Sequence, residues 1–500
     1  MYWDRIQYTS REMKEFAEFR RIKVLRKKKN RGLELIMLTV EKIGGTSMVQ
    51  FHNVLNDIIG YPGTERFRYG RVFVVSAYAG VTNMLLEDKK TKAPGIYQHF
   101  IKGEDYETSM DHLLSEALKI NQSFIDIGLD EKVCREFLME RITQTKDYLS
   151  SMEDIIASGY VGRDSIFSAA RELLASIGEA QSAFNTVNIL RNNGILSELV
   201  DLTGFRDPKQ LSISERIEKS FRNVNPQDAI LVATGYTKGI EGIMREYQRG
   251  YSDITFSKIA THLEADEAII HKEYHLSSAD PKIVGVDKAI VVGRTNYDVA
   301  DQLADIGMEA IHPNASKPLE MAGINLRIKN TFEPDHPGTV ISNDYIGPQA
   351  KIEIIAGSDK IVVLEIHDTS MVGETGFDLK IMRMFENHNI SYIMKATNAN
   401  SISLVIWESD INDIIVSELE AEYQTVTVQQ AAIVCVIGSN IAMPRILARA
   451  ANALAKNNVN IKCVSQSLRQ VNMQFVIDRK MYKKAIIALN EDLCLADINQ

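Results

Sequence analysis

Apolar residues gather in short runs over the first 300 positions: Leu38–Ile43, Val72–Val75, Ile230–Ala233, Ala268–Ile270 and Ala289–Val292. Continuous runs of this kind predict strands buried on both faces rather than half-exposed ones. Helical stretches separate them, and the alternation predicts a doubly wound, mainly parallel α/β sheet. The strongest helical signal runs from Ile166 to Asn192. There Leu173, Ile177, Ala180, Phe184 and Val187 recur every three or four positions, and Asn193-Gly194 supplies the stop. Glu179 falls off that stripe and reads by itself as a solvated helix carboxylate. Residues 96–160 predict polar helices, a lid or an insertion.

The pattern changes after Asn330–Thr339, a loop broken by Pro334, Pro337 and Gly338. Two similar units follow. The first predicts strands at Ile361–Ile366, Ser391–Ala396 and Ser401–Ile406, with a helix near Asp378–Asn389. The second predicts strands at Ala432–Ile437, Val459–Val464 and Val471–Ile477, with a helix from Pro444 to Asn457 and a last helix beyond. Each is β-α-β-β plus helix, a ferredoxin-like order. The expected division is a basic extension over 1–37, an α/β domain over 38–340, and two small units over 341–425 and 426–500.

Composition narrows the class. The 500 residues carry a net charge of −9, but residues 1–31 contribute +7, so the remainder carries −16. A mildly acidic body does not predict a nucleic-acid or membrane surface. No run of eighteen apolar residues occurs, so no helical membrane span is expected. The four cysteines (Cys134, Cys435, Cys463, Cys494) form no C-x-x-C, which predicts a reducing, cytoplasmic setting with neither disulfides nor a zinc site. The head Arg20–Arg31 reads as a nucleic-acid arm, a transit peptide or sequence upstream of a start at Met37. Glu12, Glu15 and Glu18 weigh against transit.

Chemistry collects where the runs end. The first closes in Lys42-Ile-Gly44-Gly45-Thr46-Ser47, with a cation, two glycines and two hydroxyls that can cap a following helix. Backbone N–H groups at such a turn can converge on one anion, and phosphate is the obvious guest. This is not a Walker loop, because the lysine precedes the glycines. The second run ends in Ser76-Ala-Tyr-Ala-Gly80-Val-Thr82, the third in Thr234-Gly-Tyr-Thr237. Ligands of open parallel sheets sit beyond such carboxyl ends. Arg249-Gly-Tyr-Ser252-Asp253 adds a guanidinium clamp and a carboxylate at a helix start. Asp280-Pro281-Lys282 reads as a turn, and His312-Pro313 as a helix opening with histidine as cap.

Taken in order, these residues resemble the aspartate kinases of the amino-acid kinase family with C-terminal ACT domains. Lys42–Ser47, Val74–Asn83, Gly178-Glu179, Arg249–Asp253, Ser278–Pro281, Gly307–Pro313 and Asn330–Thr339 carry the likeness, which spans roughly 38–500. It implies ATP-dependent phosphorylation of the aspartate side chain to 4-phospho-L-aspartate, with ATP as substrate and Mg²⁺. Lys42, Gly44 and Gly45 would hold the transferring phosphate, with Ser47 and Ser76 near it. Thr82, Glu179, Arg249 and Ser252 would bind aspartate, Glu179 taking its ammonium and Arg249 its α-carboxylate. Asp253 would complete the catalytic pair with Lys42, and Asp280 and Lys282 would face the nucleotide. No protein metal site is implied. The ACT units imply an amino-acid effector, lysine or threonine, near Met371–Phe377 or Gly438–Met443, and a homodimer or larger assembly. Two departures stand out. His271-Lys-Glu-Tyr-His275 replaces a usual T-D-V-D-G, and Glu309 replaces a usual lysine. They predict a rearranged nucleotide loop rather than a histidine metal pair, and resemble the branch linked to ectoine synthesis. A catalytically dead amino-acid sensor, or a sister kinase acting on glutamate, acetylglutamate or UMP, would keep much of the same pattern.

Overall fold

In the computed structural model, residues 37–88, 91–247, 250–308, 310–349 and 351–495 are described. The basic head, Arg249 and Glu309 lie outside them. Four of the five apolar runs are strands: β1 (Thr39–Ile43), β2 (Arg71–Val75), β4 (Ile230–Thr234) and β5 (Glu267–Lys272), with β3 at Ser197–Val200. Strands β6 (Arg294–Asn296), β7 (Asn325–Asn330) and β8 (Thr339–Ser342) complete a sheet ordered β3-β4-β2-β1-β5-β7-β8-β6. All pairings are parallel except β7 with β8. Strand β1 is the switch point. The chain leaves it towards β2 on one side and returns to β5 on the other, which opens a crevice above its carboxyl end.

Ala289–Val292 is not a sheet strand. It folds back on its own approach: Ser278 N–H donates to Ile290 O (2.7 Å), Val292 N–H to Leu276 O (2.9 Å), and Ser277 bridges Val291. Those local partners satisfy its backbone before any sheet edge is reached. The helices Ile96–Lys102, Glu107–Gln122 and Glu131–Ser158 are not a lid apart. Met110, Leu113, Leu138 and Ile142 join the core beneath the long helix Arg163–Asn192, and Phe137 stacks on Phe184 at 3.9 Å.

The two C-terminal units share one sheet. Strands β9 (Ile354–His367), β10 (Met394–Thr397), β11 (Ser401–Trp407), β12 (Thr425–Ile437), β13 (Ile461–Gln466) and β14 (Asn472–Ile477) run in the order β10-β11-β9-β12-β14-β13. Both β9 and β12 are longer than their apolar runs predict, because each serves two units. Residues 361–367 of β9 pair with 425–431 of β12, and 354–358 pair with 433–437 past a bulge. A cut at 425/426 therefore falls on a strand whose first half completes the first unit. The helix expected from Pro444 begins at Ile446 instead, because Arg445 before it sits at φ +79°, outside helical space. All four cysteines are free.

Candidate active site

The site is built on the carboxyl ends of β1, β2 and β4. Lys42, the fourth residue of β1, extends its ammonium to Asp253 Oδ1 at 2.6 Å, with both side chains largely covered. Asp253 comes from the first turn of the helix Tyr251–His262. Burial alone would push its carboxyl up. The charge and hydrogen bond of Lys42, with help from Lys272 and the His312 amide, outweigh that and hold it below the usual range. His312 is also the cap the sequence predicts, its Nδ1 accepting from Asn314 N–H. It does a second thing that was not legible. A Cβ on Gly250 would lie 2.2 Å from His312 Cδ2, so the turn after Arg249 is pressed against the imidazole. Arg249 itself is outside the described residues.

The glycine pair is asymmetric. A Cβ on Gly44 would meet nothing nearer than 3.7 Å, whereas one on Gly45 would stand 2.6 Å from Ala77 O. Gly45 is thus required by the close passage of the β2 loop, and Ala79 N–H donates to Gly45 O to fasten the two. Gly44, not Thr46 or Ser47, is the N-cap of the short helix Gly45–Val49, and no side chain caps it. Ser47 is fully buried, its hydroxyl 2.9 Å from Thr331 Oγ1 at the end of β7. It ties the turn to the sheet. Gly45→Ala is expected to displace the β2 loop, costing about 1–3 kcal/mol in stability and on the order of 10² in kcat/KM through misplacement. Melting curves and initial rates on the purified variant check both.

Glu179 overturns its exposed reading. The apolar stripe is taken up in the core as its spacing predicts, but the flank carrying Glu179 is covered too, by the β2 and β4 loops, leaving it 2% exposed. Gly178 allows the approach, since a Cβ there would lie 2.6 Å from Ala77 Cβ. Gly235, just beyond β4, is hemmed in by Val75 O, Ser252 Cβ and Glu179 Cγ, so these groups meet at one point. Tyr251 O–H donates to Glu179 Oε1 at 2.6 Å, while the buried Oε2 has no hydrogen-bond partner among the described residues. Burial raises the carboxyl to about 7, against the pull of Tyr251, backbone amides and Lys42. A buried oxygen held without a donor is costly unless a ligand supplies one.

Ser252 and Ser76 face each other across the cleft, their hydroxyls 3.5 Å apart. Thr82 is half-buried in the helix Val81–Leu85, which starts at Gly80 with φ +90°. The cluster therefore unites Lys42, Asp253, Glu179, Ser252, Ser76 and the glycine turn. Asp280 and Lys282 make no hydrogen bond or ion pair to that cluster among the described residues. Asp280 caps its own turn through Lys282 N–H, Lys282 lies over the Tyr274 ring, and the flanking Ala279 and Val284 pack into the second C-terminal unit. His271 and His275 diverge: one meets Glu41 Oε2 at 2.9 Å, the other Glu333 Oε2 at 3.1 Å. No trio of metal-ligating side chains occurs among the described residues, and no described helix is long and apolar enough to cross a membrane. Tyr251, the partner of Glu179, is a residue of this cluster that the sequence reading did not single out. Its position inside the Arg249–Asp253 motif was the available signal.

Residues 37–330 match the amino acid kinase family and residues 434–493 an ACT domain. The chain is 42% identical over 465 residues to aspartate kinase Ask_Ect of Stutzerimonas stutzeri (strain A1501), covering 91% of this chain and 97% of that one. It is 25% identical to the chloroplastic aspartokinase 1 of Arabidopsis thaliana, over 90% of this chain and 79% of that protein. Among solved structures, E. coli aspartokinase III in complex with aspartate and ADP superposes with a TM-score of 0.69 at 20% identity, covering 91% of this chain and 99% of that one. Aspartate kinase of Clostridium acetobutylicum gives 0.66 at 21%, covering 91% and 100%.

Proposed function

The chain belongs to the amino acid kinase family, among its aspartate kinases, and from that premise we propose how its own residues carry phosphate from MgATP to L-aspartate. A side-chain carboxylate oxygen attacks the γ-phosphorus, the bond to the β–γ bridging oxygen breaks, and ADP leaves with that electron pair. No proton moves, because an aspartate side chain with a pKa near 4 is already ionised at neutral pH. The obstacle is electrostatic: one anion must approach another while charge spreads over the transferring group.

Lys42 answers that obstacle from the end of β1, aimed by Asp253 and placed at the glycine turn where backbone N–H groups can face a phosphate. Mg²⁺ bound to the triphosphate would neutralise part of its charge, in keeping with an ion that favours phosphate and water over a protein cage. The observation that carries the substrate reading is Glu179 Oε2, a buried acceptor without a donor a short way from the ammonium of Lys42. An α-ammonium fits it, and the hydroxyls of Ser252 and Ser76 line the approach. Arg249 takes the α-carboxylate and Thr82 the substrate's flank on the family pattern.

The substitutions at His271, His275 and Glu309 support a place in the ectoine branch, and the ACT units support an amino-acid effector and self-association. Enzyme, aspartate, MgATP and hydroxylamine should give an aspartyl hydroxamate; none at saturating substrates overturns the reading. The same assay with lysine, threonine and ectoine tests the effector. Arg249→Ala should raise the aspartate KM by about 10²-fold, as the loss of a charged, bidentate contact implies, with kcat changed far less. A matched fall in kcat at unchanged KM would remove Arg249 from substrate binding.

A further inference from the structure

Side chains alternate across a strand, so Glu41 points away from the face that carries Lys42. It lines a cavity of about 210 Å³ between β1, β5, β7 and the loop before β2, shared with Asp57, Arg66, Arg68, Arg71, His271 and Lys329. We propose that this cavity is a second binding site, for a small doubly charged oxyanion of the phosphate class. At 210 Å³ it lies below the ~300 Å³ at which pockets for larger organic ligands begin.

The charge balance makes the case. Arg71 is consumed internally: Nε and Nη2 donate to the two oxygens of Glu41 at 2.7 and 2.8 Å, and Nη1 to Ile58 O. His271 and Thr39 complete the Glu41 carboxylate at 2.9 and 2.7 Å. Its hydrogen-bonding capacity is thus largely taken, and its single charge is shared by Arg71, His271 and Arg68, whose Nη2 stands 4.0 Å from Oε1. Burial would raise Glu41, yet Arg71 and His271 hold it well below the usual range. The lining as a whole sets four basic side chains, Arg66, Arg68, Arg71 and Lys329, against two carboxylates, Glu41 and Asp57, with Arg68 also donating to Met37 O and Thr39 Oγ1.

Arg66 reaches outward to Asp335, a carboxylate 90% exposed, and takes only the backbone O of Asp57. Of the three donors on Lys329, one goes to Pro334 O among the described residues. Burial is the largest influence on both: it depresses the Lys329 ammonium, with Arg327, Arg66 and Arg71 adding repulsion and Glu41 opposing, and it depresses Arg68 together with Arg71, against Glu41 and Glu267. Like charges are crowded on a small recess with spare N–H groups, and an oxyanion relieves both conditions.

Calorimetric titration of inorganic phosphate into the full chain at about 20 mM salt tests the site, low ionic strength keeping screening small. The Lys42→Ala background removes the competing phosphate contact of the active site, so failure of the kinase reading does not affect the outcome. One phosphate per chain is expected there, weakened about tenfold by Arg66→Ala and again by Lys329→Met. Melting of each variant without phosphate reports whether it folds, and either variant alone suffices. Succinate as a second titrant separates a phosphoryl from a dicarboxylate ligand: competition assigns a general dianion site, indifference a phosphoryl one. Phosphate binding that survives both substitutions, vanishes with Lys42→Ala, or is absent up to about 10 mM overturns the proposal.

Discussion

Lys42→Ala lowers kcat by about 10²–10³-fold, the usual loss for one oriented charge at a transferring group, while the aspartate KM changes little. Among the described residues Lys42 makes no hydrogen bond to Glu179 or the serine hydroxyls, and its charge only helps to hold the Glu179 carboxyl down, so above pH 8.5, where that carboxyl is ionised, recognition of the amino acid survives its loss. The fold pays separately. Asp253 would keep its carboxyl in a largely covered position without the ammonium 2.6 Å away, and breaking such a pair from one side typically costs about 3–5 kcal/mol. Burial, the largest influence on Asp253, would then stand opposed only by Lys272 and the His312 amide. Its carboxyl would rise and take up a proton, so the deficit in stability shrinks as pH falls. Lys42→Ala/Asp253→Asn separates the two effects. It should regain most of the lost melting temperature and none of the lost kcat. Recovery of activity in the double variant would reduce Lys42 to a structural counter-ion.

The sequence carried the sheet through its simplest feature, continuous apolar runs, because strands buried on both faces leave no room for polar alternation. The turn after Lys42 was legible from the same run, although paired glycines after a strand are more often a plain turn, and it took the motifs later in the chain to favour phosphate. What escaped depended on the partner surface. Glu179 read as solvated because helical periodicity describes one face, and nothing nearby in sequence shows that loops from β2 and β4 close over its flank. Ala289–Val292 has the composition of a strand but finds Leu276 and Ser278 first, a contact set by the turn at Asp280. The repeat of two C-terminal units was visible in its periodicity. Their exchange of strand halves was not, since pairing 354–358 with 433–437 across the intervening unit is a long-range choice.

The acid limb of activity should belong to Glu179. Its carboxyl sits at about 7, first because it is buried; against the ordinary glutamate value of 4.5 that shift amounts to about 3 kcal/mol favouring the protonated form. The native state therefore binds more protons than the unfolded chain between these values, and this group's contribution to stability declines as pH rises through them. Aspartate reverses the preference. Its ammonium needs the ionised carboxylate, so binding near pH 7 must expel a proton from part of the population. Calorimetry in buffers of different ionisation enthalpy should register a fractional proton release that grows from pH 7.5 to 6.5. kcat/KM for aspartate should fall towards tenfold per pH unit below 7, with kcat at saturation much flatter. Glu179→Gln should abolish the proton release and raise KM by about 10²-fold, the cost of losing a charged partner in a buried site. Tyr251→Phe is the sharper test. It removes the donor at 2.6 Å, one of the influences holding the carboxyl down, so the acid limb should move to higher pH while kcat above pH 8.5 stays near the parent value. If that limb stays put in Tyr251→Phe and persists in Glu179→Gln, the ammonium is received somewhere else.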